Sequence, residues 1–109
     1  MSNHATPIAC DMSALPDRDH HATIGGQLLS QTLSVHALDN GYQLEFPITA
    51  LTMAAEFVDG ERRCCPFFHF NIAVEPAAST VQLQLMGGEG AKAILEQALL
   101  PLLPVKLIP

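Results

Sequence analysis

The stretches Phe68-His69-Phe70-Asn71-Ile72-Ala73-Val74-Glu75 and Val81-Gln82-Leu83-Gln84-Leu85 decide the fold. Phe68, Phe70, Ile72 and Val74 alternate with His69, Asn71 and Glu75. Val81, Leu83 and Leu85 alternate in the same way with Gln82 and Gln84. A period of two marks strands with one buried face, and Pro76 to Thr80 supply the turn of a hairpin. Upstream, Leu33, Val35 and Ala37 alternate with Thr32, Ser34 and His36, and Tyr42, Leu44 and Phe46 with Gln43 and Glu45. Asp39-Asn40-Gly41 lies between them, a hairpin signal because Asn-Gly tolerates positive φ.

Between the hairpins the period changes. A helix is expected from about residue 50 to 65, capped by Thr49 and bounded by Pro66. Leu51, Ala54, Ala55, Val58 and Cys65 share one face, and Met53, Phe57 and Cys64 a second. The second face needs its own cover, either the segment Ile8-Ala9-Cys10 or another subunit. A final helix follows Gly87-Gly88, with Ala91, Ile94, Leu95, Ala98 and Leu102 as its stripe, and Pro101 and Pro104 disrupt its end. Gly87-Gly88-Glu89-Gly90 reads as a tight turn, because its spacing matches no phosphate-binding pattern and Glu89 would repel phosphate. Ahead of the first hairpin, Ser13 is the expected cap of a helix that Gly25-Gly26 weakens or ends.

The expected fold is therefore α+β, in the order (α)ββαββα. A four-stranded, mainly antiparallel sheet carries helices on one face. Residues 1–12 read as an N-terminal arm and residues 13–109 as one domain. The chain of 109 residues has the length of one domain, and 49% hydrophobic against 15% charged residues excludes intrinsic disorder. A formal net charge of −6 gives no electrostatic footprint for nucleic acid or an anionic membrane. Mean hydropathy of +0.25 is high for so small a domain, so a homodimer is expected to cover part of its apolar surface. No secretory pattern opens the sequence, so a cytoplasmic location with reduced thiols is expected, and an odd number of cysteines argues against a disulfide framework.

Chemistry concentrates at Glu61-Arg62-Arg63-Cys64-Cys65-Pro66-Phe67-Phe68. Adjacent thiols select soft ions, thiophilic metals or metalloids. Neighbours on a regular helix point about 100° apart, which is poor for chelation. A backbone break at Cys65, forced by Pro66, brings them together, and Cys10 supplies a third sulfur if the N-terminal segment covers the Cys64 side. Arg62 and Arg63 favour thiolates and the helix C-terminus opposes them, so the sign of the thiol pKa shifts stays open. His69 is a candidate fourth ligand, although its strand position points away from the core. His20 and His21 read as surface residues, with His21 able to face a ligand from a helix. Glu61 is a candidate general acid or base, its ordinary alternative being an ion pair with Arg62 or Arg63. No zinc-finger spacing, H-E-x-x-H motif or Ser-His-Asp order is present.

Across Glu61 to Phe70 the chain resembles a group of small, largely uncharacterised bacterial proteins that share an E-R-x-C-C-P-F-x-x-F core. The likeness extends to Ala9-Cys10, to Gly41-Tyr42 before the strand ending in Phe46, and to Gly90-Ala91-Lys92. It implies that Cys10, Cys64 and Cys65 belong to one recurring pattern, and it implies no activity. The leading expectation is a small protein that binds a soft metal or metalloid ion through these cysteines. Its rivals are a cysteine-dependent enzyme and a non-catalytic dimerising module. The enzyme would be organometallic lyase-like, with Glu61 or Asp11 as proton donor, or a thiol redox protein.

Overall fold

The structure, a computed structural model, describes residues 10–108. It is an α+β fold of three helices and one mixed sheet. In chain order these are α1 (Arg18–Leu29), β1 (Ser34–Leu38), β2 (Gly41–Pro47), α2 (Leu51–Cys64), β3 (Phe68–Glu75), β4 (Thr80–Gly87), α3 (Ala91–Ala98) and β5 (Leu107–Ile108). The spatial strand order is β3-β4-β2-β1-β5. The sheet thus has five strands where the sequence pattern gave four. Leu107 and Ile108, from the apolar tail, lie parallel to Val35 and His36 at the β1 edge. Two residues are too short to carry a readable alternation, so only the edge they find reveals them.

The two hairpins form as the alternation requires. Leu44 faces Leu83, Tyr42 faces Leu85 and Phe46 faces Val81 across β2 and β4. All six are buried. The opposite face is polar, with Gln84 donating to Gln43 at 2.8 Å and Asn71 to Gln84 at 3.2 Å. Edge strand β3 buries only Phe68 fully, while Ile72 and Val74 stay 36% and 44% exposed, because the helices do not reach its far end. Leu33 is 50% exposed and Thr32 is buried, since the chain reaches β1 only at Ser34. The first hairpin uses no positive φ at Asn40 or Gly41. Gly41 is needed for a different reason: a Cβ there would run into the Leu85 carbonyl oxygen of β4.

The helix starts differ from expectation. Asp17, not Ser13, caps α1, accepting from the His20 backbone N–H at 3.0 Å. Thr49 sits in a short 3-10 turn, Ile48–Ala50, and makes no cap bond. Helix α1 runs unbroken through Gly25 and Gly26. Gly25 lies on Phe57 of α2, where an added Cβ would stand 3.3 Å from the ring. Close helix–helix packing there outweighs glycine's intrinsic cost of about 1 kcal/mol. The second apolar face of α2 is therefore covered chiefly by α1 of the same chain.

Candidate functional site: a cysteine cluster at the end of α2

Helix α2 ends where Pro66 demands it. Cys65 leaves the helical region, at φ −127° and ψ 67°, as a residue before proline is driven to do. This break turns two sulfurs that a continuous helix would splay apart toward each other, to 3.4 Å. Both cysteines are buried. Cys10 and Asp11 close over the same point, with the Asp11 N–H donating to the Cys64 carbonyl at 2.6 Å. That bond sets Cys10 beside Cys65, their Cα atoms 4.5 Å apart, and the two form a disulfide. The expectation of three thiols is corrected here: an odd cysteine count leaves Cys64 as the free thiol. The three sulfurs lie within 4.8 Å of one another, a group that could hold a metal ion.

Glu61 precedes Cys64 by three positions, which places both on one face of the last turn of α2, and the break at Cys65 brings its sulfur to the same side. Its carboxylate oxygens lie 3.7 Å from the Cys64 sulfur and 4.0 Å from that of Cys65. Glu61 does not pair with its neighbouring arginines. Arg62 and Arg63 turn outward to Asp59, at 2.8 and 3.6 Å. Glu61 instead meets His21 Nε2 at 2.7 Å, with the two side chains only 18% and 11% exposed. The His21 ring stacks on Phe57, centroids 5.5 Å apart. It passes over Gly60, where any Cβ would collide with the imidazole. His21, Glu61 and Cys64 form a second group of atoms within 4.8 Å of one another.

The sign left open by the sequence is now set. Burial pushes the Cys64 thiol up to about 11, and the charge and hydrogen bond of Glu61 add to the rise. The outward-turned arginines do not offset it. His69 is exposed on β3, opposite Met86, and stands outside both groups. Asp11 is also outside them. Hydrogen bonds from Ser13 hold its carboxyl below the usual range, which unsuits it as a proton donor. The residues that sequence reasoning undervalued are His21 and Gly60. A histidine four positions after the Asp17 cap and an otherwise unexplained glycine mid-helix were the available signals.

A cavity of about 220 Å³ opens beside the cluster. Cys10, His21 and Glu61 form one wall, and Leu29, Phe57 and Leu95 belong to its apolar remainder. No helix among the described residues is long and apolar enough to cross a membrane. Comparison with protein-family models, curated proteins and solved structures finds no match to this chain. Fold and site together define a small α+β protein built around a proline-turned cysteine cluster, with Cys64 and Cys65 buried and Cys10 exposed.

Proposed function

We propose that the reduced protein binds one soft metal or metalloid ion through Cys10, Cys64 and Cys65, with Glu61 and His21 alongside. The observation that carries this reading is the convergence of all three sulfurs within 4.8 Å. Soft thiolates favour soft ions, and the burial of Cys64 and Cys65 limits water as a competing ligand on that side of the site, while Cys10 closes it from an exposed position. Cys10 and Cys65 cannot be joined and both serve as thiolates, so the loaded form is the reduced one. The high pKa of Cys64 does not prevent binding, because the ion replaces the proton. The test is titration of the reduced protein with cadmium(II), followed by thiolate-to-metal absorption and elemental analysis. One equivalent is expected, lost on Cys64→Ser or Cys65→Ser. Unchanged binding in both variants would overturn the reading.

A second reading, thiol–disulfide exchange, draws on the 3.4 Å between Cys64 and Cys65. The Cys64 thiolate would attack the Cys65 sulfur, forming a Cys64–Cys65 bond while Cys10 leaves as thiolate. A thiol with a pKa of about 11 is ionised to only about one part in 10⁴ at pH 7, so this step is slow at neutral pH. Disulfide mapping by mass spectrometry at pH 7 separates the readings. Exchange requires a Cys64–Cys65 bond, whereas ion binding alone leaves Cys10–Cys65 as the oxidised pair.

A further inference from the structure

A bare ion would fill the space between three sulfurs and leave the neighbouring 220 Å³ apolar cavity empty. An enclosed apolar cavity of about 150 Å³ suffices for a benzene ring; this one is larger and opens to solvent, with the exposed Ala22, Ala98 and Leu102 in its lining. This one has Cys10 in its wall and ends against the carboxylate that borders Cys64 and Cys65. Its other walls come from α1, α2, α3 and β4, with Leu29, Phe57, Leu85 and Leu95 among them, and present no ionisable side chain other than Glu61 and His21.

The spacing of the buried pair narrows the central atom. In the disulfide-bonded form the two sulfurs stand 3.4 Å apart; carried into the reduced form, with each about 2.3 Å from a common atom, that spacing subtends about 95°. That angle suits a pyramidal three-coordinate centre with a lone pair. Linear two-coordination would need the sulfurs about 4.6 Å apart with the same bond length.

We propose that the substrate class is a monosubstituted organic derivative of a trivalent metalloid, held by Cys64 and Cys65 with its apolar group in this cavity. The inference rests on the reduced, ion-binding state proposed above. The organic group takes the third position, where Cys10 would otherwise coordinate. The reaction is a condensation without redox change. Two metalloid–sulfur bonds form, two metalloid–hydroxyl bonds break, and each hydroxyl departs with one thiol proton as water. Glu61, within 4.0 Å of both sulfurs, is placed to pass those protons. A mono-organic derivative therefore consumes two thiols and inorganic arsenite three.

The experiment compares arsenite, methylarsenic(III) and phenylarsenic(III) on the reduced full chain, counting the thiols left free and measuring affinity. One free thiol after either organic compound and none after arsenite is the expected count. Phenyl should bind at least tenfold tighter than methyl, beyond the ratio given by dithiothreitol, because its ring is removed from water. Ala22 and Ala98 line the cavity from exposed helix positions. Ala22→Phe or Ala98→Phe should abolish the phenyl preference and leave arsenite binding unchanged. Tight arsenite binding with no phenyl preference would overturn this inference and leave the ion-binding reading intact. Binding of cadmium(II) but of none of the three would overturn this inference alone, and binding of none of the four would overturn both.

Discussion

His21 Nε2 and Glu61 Oε2 meet at 2.7 Å, joining the first turn of α1 to the end of α2 that carries both buried cysteines. The contact fixes the carboxylate beside the sulfurs rather than letting it swing to Arg62 or Arg63. It exists only because residue 60 has no side chain.

Gly60→Ala is therefore expected to reverse the usual sign of its class. In an exposed helix interior the change would gain about 1 kcal/mol. Here the methyl collides with the His21 ring, and overpacking costs about 1–3 kcal/mol. Chemical denaturation should show a net loss of stability. His21→Ala combined with Gly60→Ala should recover the helix gain, because the clash is removed.

The oxidised protein has one thiol to titrate. Alkylation of Cys64 by iodoacetamide should rise with pH toward a midpoint near 11. Glu61→Gln should lower that midpoint, since the carboxylate disfavours the thiolate. The folded-state pKa lies above the ordinary value of 9.0, so the neutral thiol is the form folding favours. Its contribution to stability is full below pH 9 and is lost as pH rises through about 11. Cys64→Ala should remove that part of the alkaline decline.

Divalent soft cations must displace thiol protons. Cadmium affinity of the reduced protein should rise about tenfold per pH unit for each proton released, across neutral pH. Arsenite condensation returns its protons as water, so its affinity should stay nearly flat over the same range. Isothermal titration at three pH values distinguishes the two slopes.

Oxidation should switch the site off. With Cys10 and Cys65 joined, Cys64 is the remaining free thiol, and neither cadmium nor arsenite should bind stoichiometrically. Adding a phosphine reductant should restore one equivalent. Undiminished binding by the oxidised form would show that the disulfide pair does not take part.

Much of the central fold is legible because it is local. The alternation through Tyr42-Phe46 and Val81-Leu85 names the buried face of the sheet, and Pro66 marks the break that turns Cys65 toward Cys64. What the sequence leaves hidden depends on distant partners. Gly25 looks like a helix breaker until Phe57 lies against it. Leu107-Ile108 is too short to announce a strand. Glu61 has adjacent arginines as obvious partners, yet Asp59 takes them and a histidine 40 positions away takes Glu61. His69 draws attention by standing four residues after Cys65, but strand geometry carries it to solvent. Gly41 follows a turn signature and is required instead by the nearness of Leu85.

Coordination by Cys10, Cys64 and Cys65 is read out by X-ray absorption at the arsenic edge, on reduced protein loaded with one equivalent of arsenite. The expected first shell is three sulfurs, falling to two in Cys10→Ser. A shell of oxygen or nitrogen alone, or three sulfurs persisting in Cys10→Ser, would contradict it.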